Sequence, residues 1–311
     1  MTSERAWLKP LLLVIAVLVG VGSATQSRIN GTLAETVGSG PHAAAIAFGT
    51  GLALLLLVTA CVKSARTGLR RTIAAARGGE MPWWGFLGGA CGASFVLAQG
   101  LSVPFLGVAV FMTSMVVGQL LGSLAVDHFG WLGAPVQRIS WMRGIGTLLA
   151  LLAVGLVGLG GGVTLGSTGF MAIGAVAGFL VALQLGITGT VRQHARESVS
   201  PALINFAVGF AVLLGAALLA SLLGLVEFSG LPREWWLYLG GVIGVIYIFV
   251  TASVVRGLGV FMLSLSLVGG QLVGSLFFDL LSGHFSWLLL CGVVLAFVGI
   301  LVSHLGARRG R

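Results

Sequence analysis

Gly118-Gln119-Leu120-Leu121-Gly122-Ser123-Leu124 returns later in the chain as Gly270-Gln271-Leu272-Val273-Gly274-Ser275-Leu276. The offset is 152, and it holds without a gap over a longer stretch. It carries Trp83-Trp84 onto Trp235-Trp236, Gly88-Gly89 onto Gly240-Gly241, Gly92 onto Gly244, Gly107-Val108 onto Gly259-Val260, and Asp127 onto Asp279. A second offset, 158, relates the segments ahead of these. Gly20, Gln26, Ile29 and Gly31-Thr32 fall on Gly178, Gln184, Ile187 and Gly189-Thr190; Ile46, Phe48 and Gly51 fall on Ile204, Phe206 and Gly209. The chain reads as two related halves, placed at 1–163 and 164–311.

The medium around these halves follows from composition. Of 311 residues, 57% are hydrophobic and 8% charged, and the mean hydropathy is +1.08. A soluble domain carries about 25% charged residues. This chain cannot cover a water-facing surface, so its partner is the lipid bilayer. The net charge of +9 does not point to nucleic acid, because the basic residues lie between apolar runs and not on one soluble face. Cys61, Cys91 and Cys291 have neither metal-ligand nor disulfide spacing. No metal site or cofactor motif is expected.

A helix needs about 20 mostly apolar residues to cross a bilayer. Such runs fall at 10–29, 42–62, 83–102, 105–126, 143–162, 169–190, 201–225, 235–255, 258–279 and 285–304. The first resembles a signal peptide at its edges, but it is long and has a partner in the second half, so it is kept as a span. Val103-Pro104 and Arg256-Gly257 are read as the tight corners between spans three and four and spans eight and nine.

Positive residues are retained in the cytoplasm. With both termini inside, only Arg28 and Arg233 lie in outer loops, and Lys63 to Arg77 reads as a cytoplasmic loop. A repeat of five spans is odd, so the second copy enters the membrane the other way up. The fold expected is an all-α polytopic membrane protein of ten transmembrane helices, arranged as two inverted five-helix repeats. Inverted repeats let one chain reach inward- and outward-open states by exchanging the conformations of its halves.

The Gln and Asn late in the first span, the Trp-Trp entry to the third, and Gly-Gln-Leu-x-Gly-Ser-Leu-x-x-Asp closing the fourth resemble the YdcZ-like family of the drug/metabolite transporter superfamily. The resemblance covers nearly the whole chain, twice over, as a fused pair of five-helix units. It implies a bacterial inner-membrane transporter, often an exporter, with the drug/metabolite transporter fold. It further implies a central cavity ringed by the first four helices of each half. Related small multidrug-resistance pumps use a glutamate in the first helix; here that span has no acid, only Gln26 and Asn30.

Polar side chains at membrane depth usually face the bundle interior or a wet cavity. Gln119, Ser123 and Asp127 are spaced by four and form one stripe about 12 Å long; Gln271, Ser275 and Asp279 repeat it. The stripe is either a hydrogen-bonding wall of the substrate path with an aspartate gate, or helix glue beside the Gly118/Gly122 and Gly270/Gly274 pairs. Gln26, Asn30, Gln184 and Asn205 are candidates for ligand contact, while Gln99 and Tyr247 have no polar counterpart in the repeat. The Trp pairs read as interfacial anchors, and His42, His128 and His284 lack metal-type spacing.

The function expected is secondary transport of a small molecule, neutral, zwitterionic or anionic in preference to a lone cation. There is no phosphate-binding loop and no nucleophile–base pair, which speaks against an ATPase or an enzyme. A channel-like pore and a lipid flippase are the alternatives. Substrate, direction, coupling ion and oligomeric state, a homo-oligomer included, are left open.

Overall fold

The computed structural model describes residues 8–133, 136, 141–160 and 168–281, and helical positions 287–288, 290–291, 294–295, 297–299 and 301–302. The long elements are α1 (Leu8–Val37), α2 (Gly40–Cys61), α3 (Lys63–Arg77), α4 (Gly88–Phe129), α5 (Trp141–Gly160), α6 (Thr168–Ala195), α7 (Val199–Leu222), α8 (Leu239–Leu258) and α9 (Val260–Leu281). Among the described residues, eight helices are long and apolar enough to cross a membrane. This is a multi-pass helical membrane protein. At the fifth expected span there is a helix, α5, of 20 residues, which is not one of the eight; the tenth, at 285–304, lies largely outside the described residues.

Two corners differ from expectation. Val103 and Pro104 remain helical, and α4 breaks at Gly107, where φ is +72° and ψ 170°. The corner after α8 lies at Gly259, with φ +82°, and Arg256 and Gly257 end the helix before it. A proline removes one backbone donor, but a reversal within one residue needs the left-handed region that glycine enters freely. Gly107 and Gly259 are repeat mates. The stretch Lys63–Arg77 is also more ordered than a loop: it forms α3, burying Ala65, Gly68, Thr72 and Ala75 and exposing its basic residues. Such a face suits the boundary between protein, lipid head groups and water.

Chain direction follows from the contacts. Gly88, Gly92 and Ser102 on the first leg of α4 lie against Ile187, Gln184 and Phe170, so this leg runs antiparallel to α6. After Gly107 the order reverses, with Gly118 against Ala175 and Gly122 against Phe179 and Ala182. On α1, Ser27 bonds Gln99 and Gly31 meets Val103, so α1 and the first leg of α4 run the same way there.

The closest packing is backbone on backbone. A Cβ built on Gly20 would lie 2.9 Å from the Cα of Gly270, and one on Gly270 would lie 2.9 Å from the Cα of Gly20. Their repeat mates behave alike: a Cβ on Gly178 would lie 2.9 Å from the nitrogen of Gln119, and one on Gly118 would lie 2.9 Å from that of Phe179. Glycine lets these helices touch where any side chain would hold them apart. Thus α1 packs on α9 as α6 packs on the second leg of α4, joining the halves crosswise. Trp83 and Trp235, opening matched spans on short 3₁₀ turns, are 74% and 73% exposed, as interfacial anchors are.

Candidate functional site

Where α1, α2, α4, α6, α7 and α8 meet, a cavity of about 20 Å³ is lined by residues that come almost entirely in repeat-mate pairs. Gln26 faces it with Gln184, Phe48 with Phe206, Gly92 with Gly244, Phe95 with Tyr247, and Val96 with Ile248. Asn205 completes the lining, and its mate is Ala47. The volume is close to what one water molecule needs, so the cavity is contracted. Among the described residues, no charged side chain is in its walls.

The glutamines reach the cavity because each lies over a glycine. A Cβ on Gly244 would stand 2.9 Å from Nε2 of Gln26, and one on Gly92 would collide with the amide of Gln184. The aromatic floor is the pair Phe48–Phe206, stacked with centroids 4.7 Å apart and planes at 30°.

The two glutamines are held differently. Gln184 donates to Oδ1 of Asn205 at 3.0 Å. Asn205 in turn donates to Oγ1 of Thr188 at 3.2 Å and to the Pro201 carbonyl at 3.2 Å. Gln26 is 4% exposed, and no side-chain hydrogen bond ties it to another described residue. The Tyr247 hydroxyl is buried in the same wall without a partner.

The remaining candidates lie elsewhere. Asn30 donates to Gln99 at 2.7 Å, and Gln99 donates to Ser27 at 2.6 Å, which stitches α1 to α4. Ser123 and Ser275 return their hydroxyls to carbonyls of their own helices, Leu120 and Gln271. Gln119 is fully buried with neither amide atom bonded, while Gln271 reaches Ser23 only at 3.5 Å and leaves Oε1 unmet. None of these stripe residues lines the central cavity. Asp127, expected at a mouth, is 1% exposed, and its carboxylate accepts from the backbone N–H of Val260 at 3.2 Å and of Phe261 at 3.1 Å. It therefore caps α9, where a negative charge meets the positive end of the helix. A buried acid thus exists, although the first span has none. Asp279 sits on the last turn of α9, and its side chain lies outside the described residues.

Sequence reasoning overlooked Phe48, Phe206, Phe95, Val96 and Ile248 as site residues, because apolar side chains in an apolar helix carry no signal of their own. Phe48 and Phe206 were nonetheless matched by the 158 offset, which marks residues that can meet across two related halves. A larger groove of about 350 Å³ opens between α2 and α7 near His42, Phe210 and Tyr238. His42 there bonds Ser39 and Ser221 and stacks on Phe228, which is a structural role. The groove is almost wholly apolar and lacks the paired polar groups of the central cavity.

A solved crystal structure, described only as "Crystal structure of protein", shares the fold with a TM-score of 0.64; the match covers 96% of this chain and 97% of that one at 21% identity. No curated protein matches significantly. Residues 11–156 and 169–302 match the family described as "Putative inner membrane exporter, YdcZ", once in each half. This multi-pass chain, doubled in sequence and packed as apolar membrane-crossing helices, belongs to the YdcZ family of inner-membrane exporters.

Proposed function

We propose that the chain is a secondary transporter that moves a small molecule through the central cavity by alternating access between two inverted five-helix repeats, 1–163 and 164–311. The observation that carries this is the lining itself: a cavity built from repeat mates belongs equally to both halves. Chain direction supports the inversion, since the first leg of α4 follows α1 but opposes α6, and α1 and α6 carry matched sequence. The reciprocal glycine contacts support it too. In such an arrangement, exchanging the conformations of the halves moves the opening from one face to the other while the lining stays the same. The contracted cavity is an occluded stage of that cycle. The walls carry amides, a hydroxyl and aromatic rings but no charge, which suits a substrate other than a lone cation. Both termini are placed in the cytoplasm, following the distribution of Lys and Arg.

The test is metabolite exchange in reconstituted vesicles, comparing the parent with Gln26→Ala and Gln184→Ala. Saturable flux that both substitutions weaken is expected. Flux that rises linearly with concentration, with stable single-channel currents, would replace this reading with a pore. The inversion is tested with Glu35→Cys and Arg196→Cys in a background lacking the three native cysteines. Glu35 lies on the last turn of α1 and Arg196 directly follows α6, and both are exposed. An impermeant maleimide is expected to reach them from opposite sides.

A further inference from the structure

Exchanging the halves leaves most of the cavity lining unchanged and alters it at two places. Phe95 on one side faces Tyr247 on the other, and Asn205 stands where the other half has Ala47. Both differences act in the same direction. Asn205 engages the Nε2 donor of Gln184, so that wall offers an amide already tied to its neighbour beside Phe95 and Val96. On the opposite wall Ala47 can hold nothing, and among the described residues Gln26 has no side-chain bond and the Tyr247 hydroxyl has no partner. Gln26 lies over Gly244, and Tyr247 follows that glycine by one helical turn, so the free amide and free hydroxyl share one face. A buried hydroxyl without a partner carries its desolvation cost with no bond to offset it. Such a cost is explained when a ligand supplies the missing bond.

We infer that the central cavity is a one-sided binding site for an uncharged amphipathic molecule: a donor–acceptor edge such as a carboxamide docks on Gln26 and Tyr247, and a small apolar ring lies toward Phe95 and Val96. This rests on the central cavity being the substrate site, and it adds the orientation and chemical class of what binds. A glutamine amide gives and takes a hydrogen bond in one plane, and a tyrosine hydroxyl does both by rotation. Together they complete a carboxamide, which has the same two functions. A carboxylate has no donor to return, and neither it nor an ammonium group finds a counter-charge in the walls. Such an ion would carry its desolvation cost uncompensated. Rejection of an ion of equal size is therefore part of the inference.

Three probes of similar size separate these cases: benzamide, benzoate and benzyltrimethylammonium. Binding is measured by calorimetry on the full chain in detergent, and flux is measured separately in vesicles. Benzamide is expected to bind, and Tyr247→Phe to weaken it by about fivefold to tenfold, the worth of one hydrogen bond. Because Tyr247→Phe removes an unmet polar group, its thermal stability is expected to hold or rise. A lost affinity then cannot be blamed on unfolding. Combining Ala47→Asn, Phe95→Tyr, Asn205→Ala and Tyr247→Phe transposes the polar wall to the other half and is expected to restore binding relative to Tyr247→Phe.

Benzamide binding that ignores Tyr247→Phe overturns the inference, as does tighter binding of either ion, or no binding of benzamide at all. Benzamide binding that depends on Tyr247 without any flux upholds the inference and defeats the transporter reading. Flux of an ion without benzamide binding does the reverse.

Discussion

The rings of Phe48 and Phe206 stack 4.7 Å apart, and each also lies against a glycine of the opposite helix. A Cβ on Gly209 would come within 2.7 Å of Phe48, and one on Gly51 within 2.6 Å of Phe206. The four residues are two repeat-mate pairs, so α2 and α7 interlock with each ring in the notch of the other. The same notches receive the first leg of α4 and α8: the Gly209 Cβ would stand 2.9 Å from the Gly89 carbonyl, and the Gly51 Cβ 3.0 Å from that of Gly241.

This interlock gives a stability prediction. Gly209→Ala is expected to destabilise the protein by about 1–3 kcal/mol, because the methyl group meets a ring and a carbonyl that cannot both move. Adding Phe48→Leu removes the ring but not the carbonyl, so it is expected to recover part of the loss. Thermal unfolding in detergent of the two singles and the double checks this. Strict additivity of the two costs would show that the ring contact is not the cause.

Asp127 offers a test of cap against gate. Its carboxylate serves the first two N–H groups of α9, and losing such a cap costs about 0.5–2 kcal/mol. Asp127→Ala is expected to lower the unfolding temperature, and Asp127→Asn, which keeps one acceptor, to lower it less. If capping is the whole role, Asp127→Asn retains transport. Abolished flux in a stable Asp127→Asn protein would instead return the residue to coupling or gating.

The order of the helices, their membrane character and the pairing of the halves were legible in the sequence because each rests on patterns many residues long. The exact corners are not, because Pro104 and the Arg256-Gly257 pair also read as breaks but lie within the last turns of their helices. Yet Gly107 and Gly259 had already been matched by the repeat, and a conformation unique to glycine leaves that trace. Among the polar candidates, sequence could not separate a side chain turned to the cavity from one turned to a neighbouring helix. Gln26 and Asn30 are one helical turn apart on α1, yet Gln26 faces the cavity and Asn30 bonds Gln99. Helix α8 presents a glycine to each, Gly244 to Gln26 and Gly240 to Asn30, so what separates them is the second amide, Gln99 on α4, that Asn30 alone meets. The decisive difference between the walls, Tyr247 against Phe95, was set aside because it breaks the repeat.

The stripe on the second leg of α4 and on α9 yields the last prediction. Gln119 is fully buried with both amide atoms unmet, and Gln271 has one weak bond and an unmet oxygen. Helix glue would need those amides to be bonded, so in this conformation they cost stability where glue would add it. Leucine has similar bulk and no such cost. Gln119→Leu is therefore expected to raise stability, by about 1–3 kcal/mol if the full penalty is relieved, and Gln271→Leu by less, since one contact to Ser23 is lost. Vesicle exchange then separates the two roles left open by spacing. If the amides are bonded only in another stage of the cycle, the stabilised Gln119→Leu protein is trapped and its flux falls as its unfolding temperature rises. A fall in stability would show instead that Gln119 does hold helices together.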